Sequence, residues 1–82
     1  MKRLSEFALG ESGVVKVVEG ESPIKRRLFD MGVTPGAEIC LRKKAPLGDP
    51  FEITIRGYEL TLRKAEAHNI IMEENVWWKD LF

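Results

Sequence analysis

Residues 22–36, SPIKRRLFDMGVTPG, carry both the start and the stop signals of a short helix, in a chain that otherwise shows strand and turn patterns. Ser22 is a favoured N-cap, because its hydroxyl can accept a hydrogen bond from a free backbone N–H of the first turn. Pro23 then falls at the first helical position, where its missing N–H costs nothing. Gly32 is placed to end the helix with a positive φ angle. We therefore predict a helix that begins at Ser22 and stops before Gly32.

The residues around the end of this helix predict a tight turn and a buried stripe. Val33 is placed to fold back onto Leu28 in a Schellman contact. Pro35 and Gly36 fit the second and third positions of a type II turn over residues 34–37. The apolar residues that recur at helical spacing form the expected buried stripe, which consists of Ile24, Leu28 and Met31.

The charges of this helix oppose its dipole. Lys25, Arg26 and Arg27 crowd the first turn, where the dipole favours anions, and Asp30 lies in the last turn, where it favours cations. Each misplacement costs about 0.3–1 kcal/mol at an exposed site, and an Arg26–Asp30 pair would return at most about 0.5 kcal/mol. Two interpretations stay open: a solvated helix face, or a basic docking surface.

Length and composition exclude several classes of protein. The chain has 82 residues, which predicts one domain with a small core. Its 13 Lys+Arg and 13 Asp+Glu leave no overall charge to attract nucleic acid or an anionic membrane. The 1 Cys excludes a disulfide scaffold within the chain and fits a reducing compartment. Without a signal peptide or a membrane-length apolar run, we predict a cytoplasmic protein with no direct membrane insertion.

The strand pattern begins on both sides of the helix. The β-branched residues 13–18 predict a first strand, with Val15 and Val17 inside and Lys16 outside. Residues 37–44 alternate between apolar and polar positions, which places the following residues on the inner face: Ala37, Ile39 and Leu41.

A hairpin follows, in which Gly57 and Tyr58 separate two strand-like runs, residues 51–56 and 59–64. A two-residue loop with glycine first fits a type II′ turn. The register that follows matches apolar with apolar, Thr with Thr and opposite charges, in the pairs Arg56–Glu59, Ile55–Leu60, Thr54–Thr61, Ile53–Leu62 and Glu52–Arg63.

Residues 65–69 predict one helical turn, and residues 70–73 predict the last strand. About five short strands, with one helix inserted after the first, indicate a mainly β chain folded as a small, strongly bent sheet or barrel that avoids exposed edges. We assign residues 1–74 to this domain and residues 75–82 to a tail.

The tail, NVWWKDLF, contains four large apolar side chains, namely Trp77, Trp78, Leu81 and Phe82. It either packs onto the barrel as a turn of helix or stays exposed as an anchor, since aromatic anchors concentrate binding energy. Trp77 and Trp78 are therefore candidate partner-binding residues, and a homodimer through the tail or the barrel edge is a further candidate.

Residues that carry catalytic or metal chemistry are sparse. His68 is the 1 His, and neither it nor Cys40 forms a nucleophile–base arrangement at recognisable spacing, so we predict no enzyme. Glu66 and His68 lie two residues apart on a helical turn and do not face each other. Glu73 and Glu74 point to opposite faces of a strand. We therefore predict no catalytic residue, no metal ligand set and no required cofactor.

A nucleic-acid module is the next rival, because Arg42, Lys43 and Lys44 could join the basic turn of the helix in one patch. The balanced charge and the lack of interleaved aromatic residues on a strand argue against it, since stacking platforms need such residues. We expect no nucleic-acid partner.

Two blocks, RLFDMGVTPG at residues 27–36 and APLGDP at residues 45–50, resemble those of the FeoA family in this order and at this spacing. Ile55-Arg56-Gly57, Leu60, Leu62 and Arg63 add to the likeness, which covers roughly residues 4–73. FeoA proteins are small cytoplasmic proteins of bacterial ferrous iron uptake. The resemblance implies an SH3-like β-barrel related to the C-terminal domain of diphtheria-toxin-repressor-type regulators. It also implies a role beside FeoB, a membrane GTPase, and weak binding of Fe²⁺ or another divalent transition metal.

The leading interpretation is an interaction module that docks on the cytoplasmic part of a FeoB-type GTPase. The basic residues would set on-rate and register, and exposed apolar groups would supply affinity. A stand-alone metal-responsive or nucleic-acid-binding SH3-like module is the alternative. The candidate docking residues, besides Trp77 and Trp78, are Lys25, Arg26, Arg27, Leu47 and Phe51.

Overall fold

The computed structural model describes residues 1–47 and 49–74, so the predictions for the tail, including Trp77 and Trp78, concern residues outside the described part. In that part, the chain forms strands and helices in the following order: β1 (Lys2–Arg3), a 3₁₀ turn (Leu4–Glu6), β2 (Ser12–Val18), α1 (Ser22–Asp30), β3 (Glu38–Lys44), β4 (Phe51–Ile55), β5 (Tyr58–Leu62), α2 (Lys64–His68) and β6 (Ile70–Glu74).

The strands make one six-stranded antiparallel sheet in the order β1-β6-β2-β3-β4-β5. The mainly β prediction is confirmed, with β1 as a strand that the sequence pattern did not indicate. Apolar residues from every strand after β1, from α1, from α2 and from the 3₁₀ turn meet in one core. Its largest fully buried side chains are Phe7, Phe51, Leu4, Leu28, Ile39, Leu41, Ile53, Ile55, Leu62, Ile70, Met72 and Val15.

The helix α1 ends as predicted. Its C-cap is Met31, and Gly32 follows with φ 88°. The N–H of Val33 donates to the carbonyl of Leu28 at 2.9 Å, and that of Gly32 to Phe29 at 3.0 Å, which is the Schellman pattern. The type II turn over residues 34–37 is also confirmed, because Ala37 N–H donates to Thr34 O at 3.0 Å and Gly36 has φ 93°.

The start of α1 and the first strand differ from the prediction by small shifts. The N-cap is Glu21 rather than Ser22, so Pro23 takes the second helical position. In β2, the pairing with β6 shifts between Val15 and Val17. This irregularity turns Val17 outward, 48% exposed, and Val18 inward, 4% exposed, so the prediction of a buried Val17 was wrong.

The hairpin exists, but its predicted register was wrong. Ile55 pairs with Tyr58 and Ile53 with Leu60, so the two-residue loop is Arg56-Gly57. Arg56 has φ 49° and Gly57 φ 84°, and two positive φ angles make a type I′ turn, whose twist matches that of the strands. The displacement by two residues keeps every side chain on its predicted face, because the side-chain period of a strand is two.

The amino terminus contacts Glu11, the residue directly before β2. Lys2 Nζ lies 2.8 Å from Glu11 Oε2, and the Ala8 N–H donates to Oε1 at 2.9 Å. Burial raises the pKa of Glu11. The hydrogen bonds with Lys2 and Ala8 and the charges of Lys2 and Lys44 lower this pKa by a larger amount, so it lies below the ordinary value of 4.5. The ionised carboxylate therefore stabilises the fold.

This contact predicts a pH-dependent effect of Glu11→Gln. At pH 7 the variant is expected to lose about 1 kcal/mol of unfolding free energy, since one ion pair and one charged hydrogen bond weaken. Because the folded-state pKa is lowered, the contribution of Glu11 is present above its unfolded pKa and disappears as pH falls through the folded value. Urea unfolding of both proteins at pH 7 and at about pH 3 measures it. A difference that persists undiminished at the lower pH would contradict the assignment.

Candidate docking surface

Two cations of the basic turn of α1, Lys25 and Arg26, have no ion-pair partner among the described residues. Lys25 is half-buried, and Arg26 and Arg27 are exposed. Within residues 1–47 and 49–74, the Arg26 side chain makes no ion pair or hydrogen bond, and the pair with Asp30 that would offset its charge is not formed. The guanidinium of Arg26 is therefore available to another molecule.

Arg27 has a structural role that the sequence interpretation missed. Its Nε lies 3.3 Å from Oε2 of Glu66, whose residue is 8% exposed. The other oxygen of Glu66 accepts the Arg63 N–H at 2.9 Å at the start of α2. A buried carboxylate needs such partners. The ion pair between Arg27 and Glu66 therefore joins α1 to α2. The Arg27 side chain is still 65% exposed, so its role as a docking residue stays a prediction beside this structural one.

Two apolar residues of α1 are exposed, and one of them belongs to the predicted buried stripe. Ile24 is 36% exposed, so its assignment to the buried stripe was wrong; Leu28 is fully buried and Met31 is half-buried. Phe29 is 42% exposed. It follows Lys25 by four residues and Arg26 by three, so the three lie on one side of the helix. We call Lys25, Arg26 and Phe29 the α1 face.

Two surface grooves adjoin this helix. The first, about 600 Å³, is lined by Ser22, Pro23, Arg26, Arg27, Asp30 and Met31. The second, about 370 Å³, is lined by Arg27, Asp49, Pro50, Thr61, Arg63 and Glu66. Arg27 borders both, so the surface runs from the outer side of α1 to the end of the hairpin β4–β5.

Leu47 and Phe51 are predicted apolar docking residues outside the helix. The structure places Leu47 on the surface and Phe51 in the core. Leu47 is 91% exposed at the loop between β3 and β4. Phe51 is 1% exposed, because it begins the inward alternation of β4 that continues with Ile53 and Ile55. Phe51 is thus a core residue, and its assignment as a docking residue was wrong.

The remaining candidates form no chemical site. Cys40 is half-buried, with Sγ 3.8 Å from the Gly10 carbonyl, and His68 is exposed on α2. In the part of the chain that the structure describes, no three His, Cys, Asp or Glu side chains lie close enough to hold a metal ion. No described helix is long and apolar enough to cross a membrane.

The second basic run lies on β3, apart from α1 in the chain. Arg42, Lys43 and Lys44 are all exposed. Lys43 Nζ lies 4.0 Å from a Glu52 carboxylate oxygen, and Lys44 Nζ lies 5.3 Å from the centre of the Phe51 ring. Two of the three cations therefore already have partners, which weakens the run as a nucleic-acid surface.

Comparisons with known proteins agree on one family. A model of the FeoA domain matches residues 2–74. The chain is 37% identical over 71 residues to an Fe(2+) transport protein A/Fe(2+) transporter FeoB fusion protein of Porphyromonas gingivalis. The match covers 87% of this chain and 8% of that protein, so the chain spans only a small part of this relative.

Solved structures of FeoA proteins have the same fold. The NMR structure of a FeoA-like protein from Clostridium acetobutylicum has a TM-score of 0.85 and 39% identity, and the match covers 92% of this chain and 87% of that one. FeoA of Stenotrophomonas maltophilia, a procaryotic SH3 domain protein complexed with zinc, has a TM-score of 0.76 and 30% identity, covering 89% and 91%. The predicted SH3-like fold is thereby confirmed.

The related repressor fold is also found. A manganese-dependent transcriptional repressor in complex with manganese has a TM-score of 0.84 at 14% identity, over 89% of this chain and 36% of that one. At this identity the likeness shows a shared fold alone.

Proposed function

Since this chain belongs to the FeoA family, which is involved in ferrous iron transport, we propose that it is a cytoplasmic, non-enzymatic accessory protein that docks on a FeoB-type membrane GTPase. The observation that carries the proposal is the P. gingivalis fusion protein, in which a FeoA-type part and FeoB belong to one polypeptide. Two parts that function in one chain are expected to associate when they are separate chains, where docking replaces the covalent link. The role of docking is to modulate the assembly or activity of the transporter.

The α1 face is the surface that best fits such docking. It combines the uncompensated guanidinium of Arg26 with the ring of Phe29, which is 42% exposed. Arg and aromatic residues are enriched among the residues that carry binding energy in interfaces. Leu47, at 91% exposure, offers a second apolar contact. The proposed partner surface is therefore acidic, with an apolar pocket at its centre.

We do not include a resident metal in this proposal. The zinc of the S. maltophilia protein is known for that protein, and the described residues of this chain lack three converging ligands. Tight sites for divalent transition metals use several imidazole, thiolate or carboxylate ligands in defined geometry. We accordingly propose that any binding of Fe²⁺ is weak and that docking does not need it.

A binding titration tests this function. Fluorescently labelled protein is titrated with the purified cytoplasmic part of a FeoB-type GTPase at low and high salt, with and without a chelator. We expect saturable binding that weakens as salt rises, since surface charges are screened, and that the chelator leaves unchanged. If no binding is seen at either salt concentration, the docking proposal is contradicted. If the chelator abolishes binding, the proposal that docking needs no metal is contradicted.

Salt-dependent binding to a DNA duplex in the same assay would instead favour the regulatory alternative, because phosphate contacts release counterions.

A further inference from the structure

The strand β5 lies at one edge of the sheet, and its outer side has no backbone partner among the described residues. Among the described residues it pairs with β4 alone, and no backbone hydrogen bond from elsewhere reaches its other side. Ile55 and Tyr58 close a two-residue loop and so exchange both backbone hydrogen bonds. Because such pairs alternate along an antiparallel ladder, Leu60 and Leu62 also bond to β4, whereas the N–H and C=O groups of Glu59 and Thr61 point away from the sheet.

The two edges of the sheet differ in how far they are protected. The edge strand β1 has only 2 residues, and both are held: Lys2 by Glu11 at 2.8 Å, and Arg3 by Glu19 at 2.8 Å. The edge strand β5 has 5 residues, YELTL, with neither Pro nor Lys. Exposed edges without such protection are templates for pairing with another strand.

We propose that β5 pairs with β5 of a second copy of this chain, antiparallel and centred on Leu60. In this register Glu59 lies opposite Thr61 of the second copy, and Thr61 opposite Glu59 of the second copy. Each of these pairs joins two residues whose backbone groups point outward, so each can exchange both hydrogen bonds. The two Leu60 side chains, half-buried in the single chain, meet across the symmetry axis.

The charges and the backbone bonds select this register over its neighbours. A register centred on Glu59 would place two carboxylates directly opposite each other, which is unfavourable. A register centred on Thr61 would pair Glu59 with Arg63, but the Arg63 N–H already donates to Glu66 and its carbonyl accepts from Glu66 and Ala67. With Leu60 at the centre, Glu59 of each copy lies diagonal both to Arg63 and to Glu59 of the other copy. The two carboxylates are then farther apart than when they lie directly opposite, and each has an arginine of opposite charge beside it.

The sequence of β5 is self-complementary, which favours a second copy of this chain as the partner of its outer edge. A two-fold axis through Leu60 lets one sequence satisfy all four outward backbone groups of Glu59 and Thr61, and closed symmetric dimers need such a self-complementary surface. The surface is short, so the dimer is expected to be weak and to be in exchange with the monomer.

Thr61→Pro tests the proposal directly. Proline removes the outward N–H of Thr61 but no bond to β4, and edge strands tolerate proline at such positions. Sedimentation equilibrium over a range of concentrations is expected to show a monomer–dimer equilibrium for the unmodified chain, and a dissociation constant raised by about tenfold or more in the variant. Thr61→Val keeps the N–H and the β-branched shape, so it is the matched control and should dimerise normally.

A charge exchange keeps the proposal falsifiable if the proline variant does not fold. Glu59→Lys should weaken the dimer, and the double variant Glu59→Lys/Arg63→Glu should restore it. Amide hydrogen exchange gives a residue-level readout, since the Glu59 and Thr61 amides should gain protection as the protein concentration rises.

Three results would overturn the inference. The first is a chain that stays monomeric at millimolar concentration, and the second is a Thr61→Pro dimer as tight as that of the unmodified chain. The third is protection of the Glu59 and Thr61 amides that does not depend on concentration, which would mean that a segment of the same chain covers the edge. None of these outcomes bears on docking to the GTPase, which the titration above tests separately.

Discussion

Leu28→Ala is expected to lower the free energy of unfolding by about 2–5 kcal/mol, the range for truncating a fully buried leucine. Within α1, all of whose residues the structure describes, Leu28 alone is fully buried, at 0% exposure. Its carbonyl also accepts the N–H of Val33 in the turn that ends the helix. The other ties of α1 lie near its surface, such as the pair between Arg27 and Glu66 at 3.3 Å. Removing the Leu28 side chain should therefore loosen α1 more than the sheet.

Chemical denaturation measures the total loss, and amide hydrogen exchange locates it. Exchange of the α1 amides should rise in the variant while amides of β3 and β4 stay protected under native conditions, since helices and sheets can open as separate units. Ile24→Ala is the matched control on the same helix. At 36% exposure, Ile24 contributes less burial and should cost well under the loss at Leu28. Equal losses at the two positions would show that α1 is packed differently from this description.

Local sequence signals were sufficient for the end of α1, because the signals there act within a few residues. The end at Gly32 and the turn at Pro35 and Gly36 each need a backbone conformation that those residue types favour. The alternation of β3 likewise predicted the buried positions of Ile39 and Leu41.

The hairpin register could not be read in the same way, because contacts from distant residues accompany the chosen turn. Tyr58 donates its hydroxyl to the Met31 carbonyl, and Arg56 Nη2 donates to Thr34 Oγ1 at 3.0 Å. Both contacts join the hairpin to the segment after α1. A type II′ turn at Gly57 and Tyr58 would move both side chains relative to that segment. Sequence periodicity alone ranks the two registers equally, since both keep the same side chains inside.

The sequence predicted the basic residues of the candidate surface but not which of them has a structural partner, because that depends on distant residues. Nothing local distinguishes Arg26 from Arg27, and the difference comes from Glu66, which is distant in the chain but packed beside α1. Phe29 did carry a signal, because it falls outside the apolar stripe and beside basic positions on the helix. The core position of Phe51 was likewise visible in the alternation of residues 51–55.

Arg26→Glu is expected to weaken binding to the cytoplasmic part of the GTPase by roughly 10- to 100-fold. The substitution places a carboxylate where the proposed partner surface is acidic, so attraction becomes repulsion. Because Arg26 is exposed and has no ion-pair partner among the described residues, the stability of the fold should change by no more than about 0.5 kcal/mol. Arg27 is unsuitable for this test, since Arg27→Glu would set a carboxylate against Glu66 and destabilise the contact between α1 and α2.

Arg42→Glu is the matched control, because it makes the same change of charge at an exposed arginine on β3. Affinity titrations and thermal melts of the three proteins separate a local effect from one of net charge. If the α1 face docks, Arg26→Glu loses affinity with an unchanged melting temperature, and Arg42→Glu stays close to the unmodified protein. Equal losses in both variants would reduce the interaction to general charge attraction. Unchanged affinity in Arg26→Glu would exclude the α1 face and direct the search to Leu47 and its loop.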